Sequence, residues 1–270
     1  MSFSVANTSL AQPNVYNLTV GNSVAQVNVN TDAGMFNWSV QNTPTSQLNQ
    51  LNKQWFWYRV GPTGGEAAIN TISAAAVTVL DPATLITKYT DSANRFNVSI
   101  KYSLTGGSFT SGVADLGEQI TINNTSGASL EYHFFQYSDF NLGTTPANDN
   151  LVLSKNSFTG LFNQADQMNG SQAFQETVNS PGANHGEAEL AGVTLAKFNS
   201  GTPTTLNNTH TTAFGDVAWA LEWDLNIAAG GSAIISKDKY LNVTFTPEPS
   251  SLALFGLSAG LLALRARRKA

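Results

Sequence analysis

The run Val217-Ala218-Trp219-Ala220-Leu221-Glu222-Trp223-Asp224-Leu225-Asn226-Ile227 places a large apolar side chain at every second position and a small or polar one between them. Successive strand side chains point to opposite faces, so this period of two predicts a β-strand with one buried face. Phe96, Val98, Ile100, Tyr102 and Leu104 repeat the pattern against Asn97, Ser99, Lys101 and Ser103, and Gly106-Gly107 ends it. Shorter runs of the same kind occupy residues 16–20, 25–29, 36–40, 55–60, 77–80, 119–123, 130–142 and 241–245. Turn residues separate them at Gly21-Asn22, Asp32-Ala33-Gly34, Gly61-Pro62, Gly64-Gly65, residues 123–127 and Gly230-Gly231. Many short half-apolar strands between Gly/Asn/Ser turns predict an all-β fold, an antiparallel β-sandwich of jelly-roll-like or Ig-like type. Short helices are expected at residues 44–52, where Leu48 and Leu51 stand three apart, and within residues 163–179. Residues 146–203 read as long loops, or as strands that the pattern does not resolve.

Composition narrows the class. The chain has 270 residues, no cysteine and only 11% charged residues, which excludes disulfide staples and thiolate metal sites. A hydrophobic share of 41% is too high for general disorder. There are 13 Lys and Arg against 18 Asp and Glu, and four of the basic residues are Arg265, Arg267, Arg268 and Lys269. An acidic body with a basic tip argues against a nucleic-acid partner. No fixed-period repeat and no shift of composition divides residues 1–246, so they are expected to form one sandwich, with residues 247–270 as a separate tail.

That tail has three parts in order: Pro247-Glu248-Pro249, the charge-free stretch 250–264, and the basic end 265–269. The two prolines cannot donate to a sheet and favour extended neighbours, so the last strand stops there and a stiff link begins. Read as a helix, 250–264 is about 22 Å long against a hydrocarbon thickness of ~30 Å, short for a permanent span. The cations beyond it would hold the end on the cytoplasmic side. In this order of parts the tail resembles the PEP-CTERM sorting signal of Gram-negative bacteria, over Pro247 to Ala270. The resemblance implies export, transient insertion of 250–264 in the inner membrane, recognition by an exosortase membrane peptidase, and processing at or near Pro247, Glu248 and Pro249. It also implies a destination at the cell surface or in the extracellular matrix, in association with exopolysaccharide and biofilm. Met1 to Ala11 (MSFSVANTSLA) has neither a basic start nor an apolar run of about seven residues. A secretory leader is therefore expected upstream of Met1 or already removed.

Candidate chemistry in the sandwich is sparse. His133 alternates with Glu131 and reads as one of a solvent-facing pair, with metal ligation as the alternative. His185, within Asn184-His185-Gly186-Glu187-Ala188-Glu189, belongs to the most metal-like local cluster, although loop residues at ordinary spacing would look the same. His210 lies in a Thr/Asn run and carries no signal. Glu222 and Asp224 share a strand face about 7 Å apart along the chain, which suits solvated charge or the paired carboxylates of a glycosidase. Asp166 to Gly170 and Asn148-Asp149-Asn150 suggest calcium ligands by composition without the EF-hand spacing, so no cofactor is expected beyond a structural calcium. Trp55, Trp57 and Tyr58, beside Tyr132, Phe134, Phe135 and Tyr137, form either a covered aromatic layer or a platform for sugar rings. No Gly-x-Ser-x-Gly, Walker or dinucleotide motif is present. The sequence thus reads as an exported, non-enzymatic surface or matrix protein, with a carbohydrate-binding module and a secreted β-sandwich hydrolase as the alternatives.

Overall fold

The computed structural model describes residues 14–43, 46–143 and 146–244. In chain order its strands are β1 (Val15–Val20), β2 (Ser23–Asn28), β3 (Gly34–Thr43), β4 (Ser46–Asn49), β5 (Leu51–Val60), β6 (Ala67–Ala68), β7 (Ala76–Asp81), β8 (Thr84–Thr90) and β9 (Phe96–Gly106). They continue as β10 (Val113–Asn124), β11 (Leu130–Phe140), β12 (Asp149–Lys155), β13 (Phe162–Asn169), β14 (Gln172–Ser180) and β15 (His185–Leu190). The helix α1 (Val193–Phe198) then precedes β16 (Thr212–Gly215), β17 (Val217–Ile227) and β18 (Ser232–Asn242).

Two antiparallel sheets form a sandwich, as the alternation predicts. The first runs β1-β2-β3-β5-β11-β17-β15, with β4 on β3 and β6 on β5; the second runs β16-β12-β13-β14-β18-β10-β9-β8-β7. Inward residues of the patterned strands fill the space between them. From the first sheet come Phe134, Phe140, Trp219 and Trp223, and from the second Val98, Ile100, Leu116, Ile120 and Phe174, all buried. Trp219 stacks on Phe140 at 5.7 Å and meets Phe174 of the opposing sheet at 5.3 Å. Each such ring contributes about 1.5–3 kcal/mol by leaving water. Four charges also lie between the sheets: Lys237 and Lys239 of β18, Glu118 of β10 and Glu176 of β14. Lys237 Nζ lies 2.7 Å from Glu118 Oε2 and 3.3 Å from Glu176 Oε1, and Lys239 is paired with Glu118 as well. Gln136 Nε2 (2.8 Å) and Trp219 Nε1 (3.1 Å) donate to Glu176 from the first sheet. The ionic cluster therefore joins the two layers.

Two sequence expectations are corrected, and a third is decided between its alternatives. Residues 46–52 form β4 and the start of β5 instead of a helix. Asn49 supplies the corner: its Oδ1 accepts from the backbone N–H of Trp38 (2.9 Å) and Leu51 (3.0 Å), while its Nδ2 donates to Leu51 O at 2.9 Å. Such side-chain bonds compete directly with a helical ladder. Residues 163–179 form the hairpin β13–β14, in which Asn169 pairs with Gln172 around Gly170, whose φ of 58° a two-residue hairpin loop requires. Residues 146–203 hold β12 to β15 and α1, so of the two expectations for this stretch the structure takes the strands that the pattern does not resolve. The helix expected at 250–264 lies outside the described residues, and among those described no helix is long and apolar enough to cross a membrane.

Candidate functional site

The outer face of the first sheet departs most from its predicted character. Strand β17 was expected to bury one face, yet from Val217 to Trp223 both faces are buried. The cover is the segment that follows β15, namely α1 and residues 199–211. Glutamates on the sheet and on the loop beside β6 hold it in place. Thr204 N–H donates to Glu66 (2.8 Å), Leu206 N–H to Glu222 Oε2 (2.9 Å) and Asn207 N–H to Glu187 Oε2 (2.6 Å). Glu66 is also ion-paired with Arg59, and Glu187 with Lys197. A connecting segment has no ladder of its own, so acceptors on the sheet satisfy its backbone donors.

At the end of this cover the register brings ionisable groups from four strands together. Arg59 of β5 pairs with His133 of β11, which pairs with Asp224 of β17. One step along, Trp57, Phe135, Glu222 and His185 form a row across β5, β11, β17 and β15. Asp224 sits between two imidazoles: its Oδ1 is 2.5 Å from His133 Nδ1, and its Oδ2 is 3.1 Å from His185 Nε2. His133 Nε2 in turn lies 3.1 Å from Glu131 Oε1. Asn208 fixes the state of His185. Gly186 N–H donates to Asn208 Oδ1 (3.1 Å), which turns Asn208 Nδ2 toward His185 Nδ1 (2.8 Å), so that Nδ1 accepts and Nε2–H donates to Asp224. His133 is different, because carboxylate oxygens face both ring nitrogens and a neutral imidazole carries one N–H.

Accessibility divides the cluster. Side chains of Asp224 (36%), His185 (26%) and His133 (14%) reach solvent, whereas Glu222 is fully buried. Burial pushes the Glu222 carboxyl up to about 8. The Leu206 N–H opposes the rise, Asp224 adds to it, Arg59 opposes it and Glu66 adds to it. Glu222 Oε1 is buried without a hydrogen-bond partner. Ligand atoms of His133, Glu222 and Asp224 all lie within 4.8 Å of one another.

The other sequence candidates lie elsewhere. Trp55 and Trp57 are not an open platform, at 0% and 1% exposure. Trp55 Nε1–H donates to Asn70 Oδ1 (3.0 Å), and Trp57 stacks on Phe198 of α1 at 5.3 Å, leaving only its margin on a cleft of about 400 Å³ lined with Asp32, Glu66, Asn70 and Thr71. Tyr58 points between the sheets and stacks on Tyr132. Asp166 accepts from the amides of Gln164 and Gln175, and Asp149 is buried and accepts from Gln167. Asn148 and Asn150 are exposed. His210 pairs with Glu189, apart from the cluster. Pro247, Glu248, Pro249, Arg265, Arg267, Arg268 and Lys269 lie outside the described residues. Glu187 stands in the local cluster that the sequence marks around His185, whereas Arg59, Glu66 and Asn208 carry no local signal and depend on long-range pairing.

A family model described as the PEP-CTERM protein-sorting motif matches residues 245–269. The chain carries a PEP-CTERM motif. The motif implies export, membrane-associated sorting and processing by an exosortase. By sequence, no curated protein matches the chain. Solved structures do resemble the sandwich. A bacterial glucoamylase complexed with acarbose shares 10% identity at a TM-score of 0.58, over 91% of this chain and 34% of that one, so this chain spans about a third of the enzyme's length. A galactose mutarotase related enzyme from Lactobacillus acidophilus shares 9% identity at 0.55, over 85% of this chain and 98% of its own. A putative aldose 1-epimerase from Escherichia coli K12 shares 10% at 0.53, over 84% and 98%. The likeness is one of fold. It overturns the non-enzymatic expectation, which rested on the lack of a local motif: this sandwich shares its fold with solved sugar-acting enzymes, and its ionisable groups meet through folding, not through sequence adjacency.

Proposed function

We propose that this PEP-CTERM protein is an exported carbohydrate-active enzyme whose site is the Asp224, His133 and His185 cluster on the outer face of the first sheet. The observation that carries the reading is a carboxylate held between two imidazoles, at 2.5 and 3.1 Å, on adjacent strands of a sandwich related in fold to sugar-acting enzymes. The spacing favours one kind of chemistry. Paired-carboxylate glycoside hydrolysis needs groups about 5–9.5 Å apart on either side of a bond. Here Glu222 and Asp224 present ligand atoms within 4.8 Å, and Glu222 is buried. A compact acid–base group suits proton exchange between neighbouring oxygens of one sugar, such as the anomeric hydroxyl and the ring oxygen of a free aldose. In that exchange the anomeric O–H loses its proton to the cluster, the ring oxygen receives one from it, and the ring C–O bond opens to the aldehyde and can reclose with either configuration. Such acid–base work contributes about 10²–10⁴-fold.

Export through the tail supports an extracellular sugar, released from or contained in an exopolysaccharide, as the substrate. Exosortase recognition at Pro247, Glu248 and Pro249, transient membrane residence of 250–264, cytoplasmic retention of Arg265, Arg267, Arg268 and Lys269, and a final place at the surface or in a biofilm matrix complete the reading. The test is NMR exchange between anomers across a panel of aldoses, with a parallel glycan-hydrolysis screen. Anomer exchange reduced at least about 100-fold by Asp224→Asn is expected. Absence of turnover by the wild-type protein in both arms would remove the reading, and hydrolysis without anomer exchange would redirect it.

A further inference from the structure

We propose that His133, Asp224 and Glu222 form a binding site for one divalent transition-metal ion of the zinc class. The inference concerns the cluster described above but rests on its donor set alone, with no assumption about sugar. An imidazole nitrogen and two carboxylates converge within 4.8 Å. Ligand atoms about 2.0–2.2 Å from a tetrahedral zinc stand roughly 3.4 Å apart, so closing the site opens the 2.5 Å pair of His133 Nδ1 and Asp224 Oδ1 by about 1 Å while Glu222 draws in. One of these groups is left incomplete by the protein, and a second is faced by carboxylates on both sides. Glu222 Oε1 is fully buried and has no hydrogen-bond partner, a costly condition that a cation relieves. His133 meets a carboxylate oxygen at each ring nitrogen, Glu131 at Nε2 and Asp224 at Nδ1. A metal ion between Nδ1 and Asp224 would bond to both, while Nε2–H stays on Glu131.

The surrounding partners match what a metal site needs. Each prospective ligand is held through a second atom: His133 through Nε2 by Glu131, Asp224 through Oδ2 by His185, and Glu222 through Oε2 by the Leu206 N–H. Such outer contacts fix the orientation of ligands and typically affect affinity 10–100-fold. Arg59, the basic residue in register with His133, is already ion-paired with Glu66, so the negative charge of the cluster is not offset by a free cation there. An imidazole donor beside the carboxylates suits zinc better than calcium or magnesium. Three protein ligands also leave a fourth tetrahedral position for water or a substrate oxygen.

The experiment uses the full chain after dialysis against a chelator, titrated with zinc chloride by calorimetry and checked by native mass spectrometry, without sugar. One zinc per chain is expected, with binding at least about 100-fold weaker in His133→Gln and about 10–100-fold weaker in Glu131→Gln, and unchanged in His210→Gln. Calcium should bind at least about tenfold more weakly than zinc. Circular dichroism of each variant separates loss of the site from loss of the fold, and Glu131→Gln, on an exposed side chain, keeps the test informative if His133→Gln misfolds. The proposal is overturned by absence of stoichiometric zinc, by affinity insensitive to both cluster variants in folded protein, or by equal loss in His210→Gln. Anomer exchange that persists in zinc-free protein with no zinc affinity removes this inference alone; zinc binding without any turnover removes the sugar reading alone.

Discussion

Replacing Glu176 by Gln should expose how the sandwich tolerates four charges in its core. Glu176 faces Lys237, Gln136 and Trp219, and every charged member of the cluster is fully buried. The present balance is two carboxylates against two ammoniums. Although burial alone would raise it, Lys237 and Lys239 bring the Glu118 pKa down to about 2. Burial likewise works against the charge on Lys237, yet Glu118 and Glu176 hold its pKa above the ordinary lysine value. Lys239 is the weak member, since burial keeps its pKa below 10.5 despite Glu118. Removing Glu176 leaves an uncompensated buried cation, which costs about 3–5 kcal/mol. For a domain of this size 4 kcal/mol lowers Tm by about 12 °C. Lys239 can escape the penalty by losing its proton. A folded-state pKa depressed below the unfolded one contributes stability that appears as pH rises through that window, so the deficit should narrow toward pH 10.5. Lys239→Met added to Glu176→Gln restores the balance and should recover at least half of the loss. Denaturant unfolding of the three proteins at pH 7 and pH 10 is the assay. A deficit under about 1 kcal/mol at pH 7, or one that widens with pH, would refute the reasoning.

Asp139 gives a second pH test: burial raises its pKa from 3.8 to about 6, partly opposed by the Asn52 amide. A raised folded-state pKa means that stability present below pH 3.8 is lost as pH rises through 6, by about 1–3 kcal/mol. Asp139→Asn should therefore gain stability over the wild type at pH 8 and none at pH 4, and parallel pH profiles would contradict this. Gly34, at φ 59°, lies where an added Cβ would come within 2.4 Å of Trp55 Cε3 and 2.5 Å of Gln54 O. Gly34→Ala should cost about 1–3 kcal/mol in urea unfolding, and a neutral result would count against the close approach of β3 to β5. In a host with an active exosortase, Glu248→Ala should leave the tail uncleaved while the sandwich stays folded; intact mass reports it, and processing at the wild-type level would remove Glu248 from the recognition motif.

The strands were legible because alternation is local. Phe96 to Leu104 and Val217 to Ile227 each declare one inward face without reference to any partner, and the structure turns those faces inward, although it also covers the other face from Val217 to Trp223. The tail was legible for a similar reason, as an ordered set of parts in adjacent residues. The two expected helices failed where one side chain or one turn redirected the backbone: Leu48 and Leu51 have helical spacing, but Asn49 between them hydrogen-bonds the backbone of Trp38 and Leu51. Strand β8 is hidden in the sequence because Thr87 stands in the middle of its inward row Leu85, Thr87 and Tyr89, and apolar Ile86 stands on the other face. The site was least legible. His133 and Asp224 are 91 residues apart and His185 and Asp224 are 39 apart, and only the order β5-β11-β17-β15 brings them into register. Glu222 looked solvated because nothing in its own strand announces the cover that residues 199–211 lay over it.

The three histidines allow the most direct measurement. Imidazole resonances of isotopically labelled protein, followed by NMR while an aldose that the protein turns over is added, report on His133 and His185 within the cluster and on His210 outside it. The account predicts saturable shifts for His133 and His185 with His210 unmoved. Shifts absent from both cluster histidines, or equal in all three, would contradict a sugar site on the outer face of the first sheet.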